Sequence, residues 1–80
     1  MEKDITLSIH MTEDETHTVA KAVLNLRGEH FESAGHARRN PTDPPRPVVG
    51  EELAIARALG KLQEALTEAA WDKIERFTFV

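Results

Sequence analysis

Cysteine is absent from the chain, which rules out disulfides, a thiolate nucleophile and a cysteine-ligated metal. Tyrosine is absent too, and one tryptophan and three phenylalanines are the only aromatic residues, so rings for stacking nucleobases are scarce. There is no basic excess. Ten lysines and arginines stand against fourteen aspartates and glutamates, a net charge of -4, which argues against a dedicated nucleic-acid binder while leaving room for a local basic face. No apolar run is long enough for a signal peptide or a membrane span. The expected setting is the cytoplasm, with no membrane partner. HExxH, GxSxG, P-loop and GxGxxG spacings are all missing, and no internal repeat or low-complexity segment occurs. An 80-residue chain that is 40% hydrophobic and 30% charged is nevertheless the composition of one small folded domain, residues 1–80.

The strongest pattern lies in residues 50–77. Ile55, Leu59, Leu62, Leu66, Ala70, Ile74 and Phe77 recur at gaps of three or four, the spacing of one apolar stripe on an α-helix. Arg57, Lys61, Glu64, Glu68, Asp72 and Glu75 take the opposite side. Gly50 is expected to cap this helix, with Glu51 and Glu52 at the positive end of its dipole. Upstream the period changes to two. Residues 4–11 alternate, with Ile5, Leu7, Ile9 and Met11 on one face. Residues 12–15 are polar and read as a turn. Residues 16–27 alternate again, with Thr18, Ala20, Ala22, Leu24 and Leu26 facing the same way. Residues 30–39 form a third strand.

Glycine at position 28 suggests a type II′ hairpin with Gly28 and Glu29 as its two loop residues. That loop would pair Leu26 with Phe31, Leu24 with Ser33, Ala22 with Gly35 and Ala20 with Ala37. The small residues Ala22, Gly35 and Ala37 would then let a helix approach the sheet closely. The proline-rich stretch 40–49 serves as a stiff crossing loop rather than as a PxxP ligand. The expected fold is α+β: a three-stranded antiparallel meander with one long C-terminal helix on one face, β-β-β-α.

All four histidines, His10, His17, His30 and His36, fall on the outer sheet face. This register makes His10 and His17 cross-strand neighbours and sets His36 beside Lys21 and His30 beside Arg27. A zinc site needs three or four convergent ligands, and this spread predicts none. The same register sets Glu32 opposite Asn25, but a lone carboxylate on an open sheet is a solvated group. No pocket for a small-molecule substrate is expected, so the reading is of a non-enzyme without cofactors. Lys21, Arg27, His36 and Arg38 gather on the outer face, with Arg39 and Arg46 beyond it. They form a basic side opposite an acidic helix, suited to phosphate contact with structured RNA.

The runs Gly35-His36-Ala37-Arg38-Arg39-Asn40-Pro41-Thr42-Asp43 and Gly50-Glu51-Glu52-Leu53-Ala54-Ile55-Ala56-Arg57-Ala58-Leu59 resemble a family of small uncharacterised actinobacterial proteins. Thr18 to Leu24 is similar to that family's alternating Thr-x-Ala-x-Ala-x-Leu strand. The resemblance covers nearly the whole chain. It implies a fold like double-stranded-RNA-binding domains and dimers like ribosome hibernation factors, and with them a stress or dormancy role on the ribosome. Glu51 and Glu52 stand where such RNA-binding domains present lysines to phosphate.

The residues themselves point to a homodimer. A domain this size with a single helix has little core, and Leu53, Ala56, Gly60, Thr67 and Trp71 draw a second, sparser apolar line on the back of the helix. Residues 5–11 form an unprotected edge strand. Ile5, Leu7, Leu53, Trp71 and Phe79 are the candidate dimer contacts, with pairing of first strands into a six-stranded sheet preferred over pairing through the third strand or helix contacts around Trp71. A protein partner is the leading function, and ribosome or structured-RNA binding through Lys21, Arg27, His36, Arg38 and Arg39 the alternative.

Overall fold

A computed structural model describes residues 1–78. Three strands, β1 (Leu7–Glu13), β2 (His17–Leu26) and β3 (Glu29–Arg38), form one antiparallel sheet in the order β1-β2-β3 and are followed by a single helix, α1 (Pro47–Thr78). The α+β architecture with one long C-terminal helix is therefore as expected, with shifted boundaries. β1 starts three residues later than residue 4 because residues 1–6 lie outside the sheet.

Two details of the chain path differ from expectation. The hairpin loop is Arg27-Gly28, both with positive φ (51° and 82°). That is the type I′ geometry, whose twist matches the flanking strands. Strand pairing therefore slides by two residues, to Leu24 with Phe31, Ala22 with Ser33, Ala20 with Gly35 and Thr18 with Ala37. A slide of two preserves which face each side chain takes. The helix also begins earlier. Pro47 occupies its first turn, where a missing N–H costs nothing. The Arg46 carbonyl accepts from the Val49 and Gly50 amides at 3.1 and 3.4 Å. Gly50 is consequently not the cap, and no acidic residue lies in the first turn.

The core is built from small residues. Ala20 and Ala22 of β2 and Ala54 and Ala58 of α1 are wholly buried, joined by Leu24, Ala37 and Leu62. Gly35 explains how close the layers come: a Cβ there would lie 2.1 Å from the Ala54 carbonyl oxygen and 2.3 Å from the Ala58 amide nitrogen. The Ser33 hydroxyl donates to the Ala58 carbonyl at 2.7 Å, a second tie across this contact.

The expected helix stripe is thus misplaced by part of a turn. Ala54, Ala58 and Leu62 face the sheet, with Ile55 and Leu66 at its margin. Leu59, Ala70, Ile74 and Phe77 are exposed. Alanines approach a glycine-bearing sheet more closely than leucines, so the small face wins the buried position and the larger side chains are displaced sideways. Leu59, a member of the expected stripe, is exposed while Leu62 is buried.

Candidate functional site

The helix sits over β3 and β2 and scarcely touches β1. On the β3 side it is fastened. The Arg57 guanidinium donates to the His36 carbonyl at 2.6 Å, and the Lys73 ammonium lies 2.9 Å from a Glu29 carboxylate oxygen. Lys73 holds the Glu29 carboxyl below the usual carboxylate range. On the β1 side the cover is thinner, and of that strand Met11 alone among the described residues packs against the core. Leu7 pairs with Leu24, Ile9 with Ala22 and Met11 with Ala20, so all three lie on the inner face, yet Leu7 and Ile9 are each 38% exposed and Ile5 is 56% exposed. Leu59 and Phe77 of α1 are exposed as well. Among the dimer candidates, Ile5 and Leu7 therefore belong to one open apolar side. Leu53 and Trp71 lie on the back of the helix, both exposed, and Phe79 lies outside the described residues.

The outer sheet face carries the polar candidates. All four histidines do lie on it, but their neighbours differ from those expected. His10 pairs with Lys21, His17 with Arg38, His36 with Val19 and His30 with Asn25. The register of both hairpins sets these partners. In β1–β2 the turn is held by Asp14, whose carboxylate accepts from the Thr16 and His17 amides at 2.9 and 2.8 Å and is pulled below its ordinary value by those bonds.

Glu32 does not face Asn25 directly. Its carboxylate takes the Lys21 ammonium on one oxygen and His30 Nε2 at 3.1 Å on the other, while His30 Nδ1 lies 2.8 Å from the Asn25 amide oxygen. This Asn25–His30–Glu32–Lys21 chain was hidden from sequence reasoning because it depends on the turn type.

The structure divides the predicted basic set. Lys21, His36 and Arg38 share the outer face, with Lys21 already paired to Glu32. Arg27 sits in the hairpin loop at the far end of the sheet. Arg39 does not belong to the surface set. Its guanidinium donates to the Glu15 carbonyl at 3.2 and 3.0 Å and to the Asn40 and Asp43 carbonyls, stapling the proline-rich loop to the β1–β2 turn. Backbone acceptors leave no trace in a sequence, so this role had no signal to find.

A cavity of about 440 Å³ opens beside that staple, lined by residues such as Thr16, Thr18, Arg39 and Pro44. Thr16 and His17 both line it, with the Thr16 hydroxyl 2.8 Å from His17 Nδ1 and Asp14 Oδ1 3.5 Å from the same nitrogen, all at the exposed β1–β2 turn. Among the described residues no three His, Asp or Glu side chains converge as metal ligands, and no helix is long and apolar enough to cross a membrane.

The comparisons with known proteins agree with this architecture. A crystal structure of Rv2632c superposes with a TM-score of 0.93 at 35% identity, covering 100% of this chain and 95% of that one. The uncharacterised protein Rv2632c of Mycobacterium tuberculosis is 37% identical over 76 residues, 95% of this chain and 82% of its own. The uncharacterised protein Mb1767 of Mycobacterium bovis is 38% identical over 73 residues, 91% of this chain and 78% of its own. The Rv2632c-like family model matches residues 3–79, and the chain belongs to that family.

Proposed function

We propose that this protein is a non-enzymatic, cytoplasmic interaction module that works as a homodimer and engages a protein partner in that form. The observation that carries the reading is the set of large apolar side chains left exposed, Ile5, Leu7 and Ile9 on the sheet and Leu59 and Phe77 on the helix. Exposed apolar surface on this scale on a small chain marks an interaction site. The dimensions support it. The chain exposes 6469 Å², against about 4,900 Å² for a compact monomer of this mass. Its radius of gyration is 16.4 Å, against about 12 Å for a compact domain of this length. Static light scattering tests the reading: a dimer mass is expected at micromolar concentration, and a monomer mass there overturns it.

A second reading rests on the outer face, where Lys21, Arg38 and the four histidines stand against the carboxylates of Glu32 and, beside His17, Asp14. Such a face suits phosphate groups of structured RNA, as in a ribosome-associated, hibernation-like role. Arg38 makes no ion pair among the described residues, which leaves its guanidinium available. Co-sedimentation with ribosomal subunits at low and high salt separates the two readings, because phosphate contacts weaken steeply with ionic strength. Loss of that association in Lys21→Glu with Arg38→Glu would support the RNA reading. Absence of any association at low salt would remove it.

A further inference from the structure

We propose that two copies stack face to face, with the flank of each α1 against the flank of the other and the partner's helix roofing the inner face of β1, so that the edge of β1 stays unpaired. This rests on the self-association reading and names its geometry. Three observations carry it.

The first is the width of the apolar arc on α1. A helix that covers one surface needs a stripe roughly 100° wide. At about 100° per residue, Ala54, Ala58, Leu62, Ala65 and Ala69 fill such a stripe toward the sheet. Ile55, Leu59, Leu66, Ala70 and Phe77 then carry the apolar surface about another quarter-turn around, interrupted toward its end by Lys73, which is paired with Glu29. The flank, not the sheet-facing stripe, holds most of the larger side chains. Leu59 is 38% and Phe77 81% exposed. One helix here presents two contact faces, and the monomer uses one fully and only the Ile55 and Leu66 margin of the other.

The second is the arithmetic of surface. The excess over a compact monomer is roughly 1,600 Å², part of it from residues 1–6. A standard interface takes about 800 Å² from each partner. Joining first strands edge to edge would not use this surface. Strands lie about 4.8 Å apart. With α1 centred over β2 and β3, the two helices of an edge-paired dimer would stand roughly 20 Å from each other, whereas packed helices stand about 8–10 Å apart. Edge pairing therefore leaves both helix flanks and a doubled apolar floor exposed. Stacking the open sides buries flank and floor together.

The third is Gly60. It lies in the helix interior with nothing within 4 Å of a Cβ built there, and a mid-helix glycine weakens a helix relative to alanine. Within one chain its small size serves no contact. In the stacked pair the back of α1, where Gly60 lies between Leu53 and Trp71, meets the partner's β1, and a glycine permits that approach.

A two-fold axis running along the helices sets each flank residue against its own counterpart. The absence of cysteine makes this directly testable. Leu59→Cys and Leu66→Cys, prepared separately, should each form a disulfide-linked dimer under mild oxidation, because their Cα atoms would fall within the roughly 7 Å that a disulfide spans. In an edge-paired dimer the same positions are too far apart to link. Leu59→Glu, at an exposed position, should halve the mass by light scattering while leaving the circular dichroism of the fold unchanged. If the wild type has a dimer mass, neither cysteine variant cross-links and Leu59→Glu keeps that mass, the stacked geometry is wrong and the self-association reading stands. A monomeric wild type removes both. A wild type that remains monomeric alone but captures an added amphipathic helical peptide on the Leu59 flank would assign the surface to a foreign partner and overturn the second copy as occupant.

Discussion

The two long sides of this molecule are built on opposite plans. Along β3 the helix is bonded down, by Arg57 to the His36 carbonyl, by Ser33 to the Ala58 carbonyl and by Lys73 to Glu29, and the residues between the layers are alanine and glycine. Along β1 the helix instead sets Glu51 beside the Glu13 carboxyl, and the large side chains Ile5, Leu7 and Ile9 are left exposed. The small residues draw the helix close and toward β3. That displacement uncovers β1. The lesson is that close packing on one side created the apolar opening on the other, so the opening follows from how the chain folds.

The contrast can be broken from either side. Leu62→Ala removes the largest fully helix-borne contribution to the closed core and should cost about 2–5 kcal/mol, a large share of a small domain's stability, read from urea unfolding. Gly35→Ala should follow at about 1–3 kcal/mol or more, because its methyl group meets helix backbone that cannot rotate away. Ser33→Ala removes one hydrogen bond to a carbonyl that the helix already satisfies and should cost about 0.5–1.5 kcal/mol. Leu59→Ala, one turn from Leu62 but on the open side, should change the unfolding of the isolated chain by under about 0.5 kcal/mol. Equal costs for Leu59→Ala and Leu62→Ala in a dilute, monomeric sample would show that the division between the sides is drawn in the wrong place.

The smallest effect concerns the end of β1. Local desolvation, then the nearby Glu51 carboxylate, hold the Glu13 carboxyl above its ordinary value of 4.5. The folded chain then binds this proton more readily than the unfolded one. Stability falls as pH rises through the window between the unfolded and folded values, and the penalty is complete at neutral pH. Glu13→Gln should therefore raise the thermal midpoint slightly at neutral pH. Acidification below the carboxylate range should abolish that gain. A gain that persists in acid would assign it to something other than the carboxylate pair.

What the sequence disclosed follows from parity and period. Alternation placed every strand residue on its correct face, and a register slide of two could not change that. The neighbours of His17, His30 and His36 in β2–β3 were not legible, because they hang on whether Arg27-Gly28 or Gly28-Glu29 forms the loop, and that depends on Arg27 adopting a positive φ; the neighbour of His10 hangs on the β1–β2 turn held by Asp14. The helix was legible from its period. Its buried face was not, since counting large apolar residues favours Leu59 and Ile74 over Ala54 and Ala58. The cue that would have corrected this was already visible in Ala20, Ala22, Gly35 and Ala37: a sheet face of small residues takes a helix face of small residues. Ile5 and Leu7 were legible as unprotected apolar positions, while the Arg39 staple, bonded to carbonyls, was not.

The central claim is that the open side is covered in solution by a second copy. Trp71 is the chain's single tryptophan, is 59% exposed in the isolated chain and lies on the helix back, so its fluorescence reports directly on that cover. Acrylamide quenching should be weak in the wild type at concentrations where light scattering gives a dimer mass, and strong in Leu59→Glu. Equally strong quenching of Trp71 in both proteins would contradict the account.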